Sequence, residues 1–283
     1  MKWLPITFLL VLALPVSAVL YIQQLPPLIS EFPAEESPTN GQQDVEQTAG
    51  TAVSQPQTER VPDFSAYLDV TQKKRVFFEF MLPLIREANA NIREERSKLI
   101  DITTRLETGL VLQRGEHQYL NQLFKRYGMN APIKVDTQHT DQLLERVDIV
   151  PASLVLAQSA NESGWGTSRF AVKANNYFGI WCFRSGCGLK PQSRDEGMNH
   201  EVASYDSVQD SVRAYMHNIN THRAYRDLRT IRSEQRHLQN HYMGLQLTDG
   251  LRHYSELGPE YVHAIKQMIR VNRLQEYTLP SSA

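Results

Sequence analysis

Glu162 is the residue best placed to do chemistry in this chain. It lies in AQSANESGWGTSRFA, residues 157–171, between an apolar run and a tryptophan. Pro151 suits a first helical turn, Leu154, Val155 and Leu156 supply the apolar run, and Gly164 is a stop signal, so a helix should end just past Glu162. Counting back by four and by seven puts Glu162 on one face with Gln158 and Val155, a stripe that turns from apolar to polar. A carboxylate in the last turn of a helix meets the negative end of the macrodipole, which disfavours its ionised form. Coverage by Trp165 would add desolvation in the same direction. A carboxylic acid kept protonated in this way can serve as a general acid. The alternative reading is an exposed Glu at a frayed helix end.

The elements that must position this group follow from periodicity. Val70, Phe77, Phe80, Met81, Leu84, Ile85, Ala88, Ile92, Leu99, Ile102 and Leu106 keep helical spacing, which predicts one long amphipathic helix or a pair, kinked or divided at Pro83. A second helix is expected from about Glu116 to Tyr127. Residues 63–140 therefore read as an α-helical accessory region, and 141–283 as the domain that carries Glu162. Between Leu189 and Tyr205 the chain turns polar, with Pro191, Gly197 and short alternating stretches, as in a hairpin. Helices resume at Ser207, where Ser207 and Asp210 resemble a capping box, and the last runs from Pro259 to Leu274. Periodicity alone gives a mainly helical chain with one small β insertion.

The first 22 residues carry one basic residue, Lys2, followed by an uncharged run from Trp3 to Ile22, long enough to span a bilayer. Val16-Ser17-Ala18 would pass as a cleavage site. The segment reads as a signal peptide or an uncleaved anchor, and either sends the remainder out of the cytoplasm. Residues 23–62 are rich in Pro, Gln, Ser, Thr and Glu and read as a disordered linker. Thirty basic against thirty-one acidic residues leave no field for nucleic acid. In an exported chain the isolated pair Cys182 and Cys187, in CFRSGC, suggests a disulfide. A metal site is the rival reading, but it would need two more ligands nearby, so no metal or other cofactor is expected. There is no GxSxG elbow for a nucleophilic serine.

The stretch ESGWGTSRFAVKANNYFGIW, Glu162 to Trp181, resembles the signature of glycoside hydrolase family 73, the endo-β-N-acetylglucosaminidase-type peptidoglycan hydrolases. Downstream, Tyr205-Asp206-Ser207-Val208, Ser211-Val212-Arg213-Ala214-Tyr215 and Tyr261-Val262-His263-Ala264-Ile265 are similar to later family motifs, so the resemblance covers roughly Leu143 to Leu274. Lys73 to Asn89 and the Cys182–Cys187 segment also look like part of a bacterial envelope protein that shares the domain. The resemblance implies an α+β, mainly α, lysozyme-like fold with a small β lobe, and Glu162 as catalytic acid. It implies a peptidoglycan glycan strand as partner and a periplasmic location, secreted or anchored in the inner membrane. It also implies a second acidic group, for which Glu196, then Glu201, then Asp195 are the candidates, unless the substrate's own 2-acetamido oxygen attacks. Trp165, Tyr177 and Trp181 are expected as sugar-stacking or pocket walls, with core packing as the alternative for each. Two other functions stay open: a muramidase or lytic transglycosylase cutting the alternate bond, and a non-catalytic glycan-binding scaffold.

Overall fold

The computed structural model describes residues 60–192, 199–237 and 244–278. The expected N-terminal signal or anchor and most of the expected linker lie outside these residues. Nine helices occur among the described residues: α1 Val70–Glu107, α2 Arg114–Arg126, α3 Thr137–Arg146, α4 Ala152–Ser163, α5 Arg169–Ala174, α6 Val208–Thr221, α7 Arg226–His237, α8 Gly244–Leu247 and α9 Pro259–Val271. Three short strands stand between α5 and α6: β1 Trp181–Cys182, β2 Gly188–Leu189 and β3 Glu201–Ala203. The mainly α, α+β architecture with a small β lobe agrees with the sequence expectation.

The helix α1 begins where the Asp69 carboxylate accepts the Gln72 N–H at 2.6 Å. It does not divide at Pro83. That residue lies on the exposed side, so water can reach the carbonyl left without an amide partner. The first half of α1 sends Phe77, Phe78, Met81, Leu84 and Ile85 into the main core, beside Leu154, Val155 and Leu156 of α4. Its second half, through Leu99 and Ile102, builds a smaller core with Leu120, Leu123 and Phe124 of α2 and Leu143 of α3. The accessory region thus belongs to two cores, and α1 runs through both.

The helix α4 is buried along almost its whole length, and from Leu154 to Ala157 its sequence is apolar on every side. Its start is tied down twice. The Asn89 amide of α1 donates to the Val150 carbonyl at 2.8 Å and accepts the Val150 N–H at 3.0 Å. Beside it, Asp148 is 2% exposed and ion-paired to Arg96, Arg232 and Arg236. The end of α4 is set by Gly164, which takes the left-handed conformation (φ 56°) that a side chain would disfavour.

In the β lobe both outer strands pair antiparallel with β3, in the order β1-β3-β2, with Cys182 opposite Glu201 and Gly188 opposite Ala203. A side chain at Gly188 would collide with the Val202 carbonyl, so glycine permits the approach of β2 to β3. Ser207 caps α6 through its hydroxyl, which accepts the Asp210 N–H at 3.1 Å, as its place before the apolar stripe predicts.

Candidate active site

The turn that presents Glu162 is built from ESGWG itself. The Ser163 hydroxyl donates back to the Ser159 carbonyl at 2.6 Å and accepts the Gly166 N–H at 2.8 Å. Trp165 and Gly166 continue the left-handed backbone, with φ of 60° and 77°. Such a conformation is costly for a tryptophan, and packing holds it. Phe64 lies so close to Gly166 that an added Cβ would sit 2.3 Å from its ring. The indole of Trp165 packs edge-on against Phe77 and Phe78, with centroids 5.6 and 5.4 Å away, and the Lys74 ammonium stands 5.0 Å from its ring. Trp165 therefore clamps the turn to α1.

Phenols surround Glu162. Tyr261 of α9 donates its hydroxyl proton to Glu162 Oε1 at 2.7 Å, and the Asn161 amide donates to the same oxygen at 3.1 Å. Behind Tyr261, Gln158 Nε2 donates to its hydroxyl at 2.8 Å, and the Tyr215 hydroxyl donates to Gln158 Oε1. Tyr254 stacks on Tyr261 with centroids 5.2 Å apart and donates to the Phe178 carbonyl at 2.9 Å. The other carboxyl oxygen, Oε2, points toward Gly179, where an added Cβ would lie 3.9 Å away. Glu162 keeps partial exposure to solvent. Burial is nonetheless the largest influence on its pKa and pushes it up, while the bonds from Tyr261 and Asn161 pull it down. No cation figures among those causes. The arrangement favours the protonated form more than water would, with one oxygen held by protein and the other turned away from its donors.

Two asparagines hold the β lobe beside this group. Asn176, 1% exposed, donates to the carbonyls of Ile180 and Ala203 and accepts the N–H groups of Phe178 and Ile180, which fixes the turn carrying Gly179. Asn175 donates to the carbonyls of Tyr205 and Asp206 and ties that turn to the start of α6.

The remaining expected site residues are spread among different roles. Tyr177 is 1% exposed and packs on Phe77 in the core. Trp181 is partly exposed and stacks on the buried His200 ring, with centroids 4.0 Å apart. Cys182 and Cys187 are joined by a disulfide, as expected. Glu201 is 3% exposed, and its two oxygens accept the N–H groups of Gly186 (3.2 Å) and Gly188 (2.9 Å) in the disulfide-closed turn. Its carboxylate lies within 4.8 Å of both cysteine sulfurs, but the disulfide already uses those sulfurs. Asp195 and Glu196 lie outside the described residues. Sequence reasoning missed the contribution of Tyr254, Tyr261, Tyr215 and Tyr225 to the site. Tyr215 and Tyr261 stand in segments similar to family motifs, and Tyr225 and Tyr254 are signalled only as tyrosines in the turns that follow the β lobe.

Residues 137–274 match the model of a family, Glucosaminidase, described as mannosyl-glycoprotein endo-beta-N-acetylglucosaminidase. Protein bax of Escherichia coli (strain K12) is 32% identical over 213 residues, which span 75% of this chain and 74% of that protein. No solved structure gives a significant match.

Proposed function

This chain belongs to the glucosaminidase family of glycan hydrolases, and we propose that it is an exported peptidoglycan hydrolase that cleaves the β-1,4 bond after N-acetylglucosamine. The observation that carries this reading is Glu162: desolvated, with no cation partner among the described residues, and still partly open to solvent. Glu162 protonates the leaving oxygen as oxocarbenium-like charge develops on the sugar. Once the proton has gone, the hydrogen bonds from Tyr261 and Asn161 stabilise the carboxylate left behind.

Attack on the sugar carbon comes from a water activated by a second carboxylate or from the substrate's acetamido oxygen. Glu201 is the weaker candidate for the second carboxylate, because both of its oxygens already bind the turn at Gly186 and Gly188. Glu196, and then Asp195, stand ahead of it. Single Ala replacements of Glu196, Asp195 and Glu201 assayed with azide rescue separate the two routes: most of the activity retained in all three variants assigns the attack to the acetamido group. Trp181, with one face backed by His200, is the aromatic surface available to stack on a sugar ring. The apolar run Trp3–Ile22 supports delivery to the periplasm, as a cleaved signal or as an anchor.

End-group analysis of purified sacculi tests the reading. New reducing N-acetylglucosamine ends support it. New muramic acid ends, or anhydro ends, would assign the protein to the muramidases or lytic transglycosylases. Binding without new ends would make it a scaffold.

A further inference from the structure

The three hydrogen bonds behind Glu162 have a direction. The Tyr215 hydroxyl, on α6, has a single proton and donates it to Gln158 Oε1. With its carbonyl end so occupied, the Gln158 amide must present its NH2 to Tyr261, which it does at 2.8 Å. The Tyr261 oxygen then accepts, and its own single proton is left for Glu162 Oε1, at 2.7 Å. Asn161 donates to that same oxygen. Among the described residues no hydrogen bond reaches Oε2, which faces the glycine turn at Gly179.

We propose that Tyr215, Gln158 and Tyr261 form a one-way hydrogen-bond chain that confines the transferable proton of Glu162 to Oε2, so that the leaving oxygen is met on the Gly179 side. The three are positioning residues and touch no substrate. The chain would fail if the Gln158 amide turned over. Its carbonyl would then take the proton of Tyr261, and Glu162 Oε1 would be left to donate its own proton into the protein. Tyr215 opposes the turn: its oxygen could accept from a turned amide, but its proton would lose the acceptor it has in Gln158 Oε1. Gln158 and Tyr215 are both fully buried, so water does not compete for these bonds. The groups facing Glu162 are Tyr215 from α6, Tyr225 from the turn before α7, Tyr254 from the segment before α9 and Tyr261 from α9. Burial pushes each of these phenols above its ordinary value, so each keeps its proton and the direction holds at neutral pH.

The proposal rests on Glu162 being the acid, but its test reads ionisation as well as turnover. The full chain, labelled with 13C at the Glu side-chain carboxyls, is titrated by NMR, and the Glu162 signal is assigned by its loss in Glu162→Gln. Tyr215→Phe keeps the ring stacked on Phe178, now 4.1 Å centroid to centroid, and removes only the hydroxyl. The amide is then free to turn, and Glu162 loses the Tyr261 donor and keeps that of Asn161. The titration midpoint should rise by roughly half to one pH unit. The basic limb of kcat should move up with it, and KM should stay within about twofold. Tyr261→Phe, which removes the donor directly, should raise the midpoint at least as far. A rise in Tyr261→Phe with none in Tyr215→Phe would overturn the chain. So would a Tyr215→Phe variant that only melts lower, with its midpoint unchanged. Shifted midpoints in a protein that cuts no glycan would uphold the chain and sink the hydrolase reading.

Discussion

At the start of α4 the carboxylate of Asp148 is 2% exposed and faces the guanidinium groups of Arg96, Arg232 and Arg236. At the other end of the same helix the carboxyl of Glu162 faces four phenols and an amide, with no cation among the causes of its shifted pKa. Both carboxyls are largely removed from water, and removal alone favours the neutral form. Three positive charges offset that cost at Asp148 and make it an anchor. At Glu162 only the hydrogen bonds from Tyr261 and Asn161 oppose that cost, and the pKa stays above its ordinary value. The carboxylate that precedes α4 and the carboxyl in its last turn thus differ in their neighbours, cations at one and neutral donors at the other.

Removing the anchor has the largest expected effect on stability. Asp148→Ala removes the buried carboxylate shared by Arg96, Arg232 and Arg236 and should lower unfolding free energy by about 3–5 kcal/mol. Denaturant melts measure it, and a loss below about 1 kcal/mol would mean the arginines bind the backbone carbonyls alone. Glu201 sharpens the contrast as a buried carboxylate whose two oxygens accept backbone amides. Glu201→Ala should cost about 1–3 kcal/mol by freeing the turn at Gly186 and Gly188, with activity retained in the folded fraction. A fully folded Glu201→Ala protein with activity down more than about 100-fold would restore Glu201 as the second acid.

The smallest effect concerns the pH dependence of stability. The folded pKa of Glu162 lies above the ordinary value of 4.5, so between the two the native state binds more protons than the unfolded chain. Stability from this group therefore falls as pH rises through that window. Glu162→Gln has no such penalty. It should melt higher than the wild type at neutral pH, with the difference closing below pH 4.5. Equal melting curves at every pH would mean that Glu162 titrates as it does in the unfolded chain.

The anchor and the acid were unequally legible in the sequence. Pro151, the apolar run and Gly164 define α4 because propensity and backbone freedom are local properties, and they place Glu162 in its last turn correctly. The spacing of Ser207 before its apolar stripe likewise fixes the start of α6. What encloses Glu162 was not legible. Trp165 is its neighbour in sequence, yet its left-handed backbone turns the indole onto Phe77 and Phe78. The phenol that reaches the carboxyl comes from Tyr261, nearly a hundred residues away. Asp148 drew no attention, because three arginines from α1 and α7 meet it only through tertiary packing. Pro83 was expected to kink or divide α1, and the helix does not divide there, since its exposed position lets water reach the unpaired carbonyl.

The central claim is that Glu162 is the stored acid of a glycan hydrolase. Its most direct test is the rate at which wild type and Glu162→Gln release new reducing N-acetylglucosamine ends from the same sacculi, with thermal melts run in parallel. The account predicts a fall of about 10²–10⁴-fold in a variant that folds at least as well as the wild type, because the amide keeps the hydrogen bonds and has no proton of useful acidity. Release at the wild-type rate by folded Glu162→Gln would contradict it.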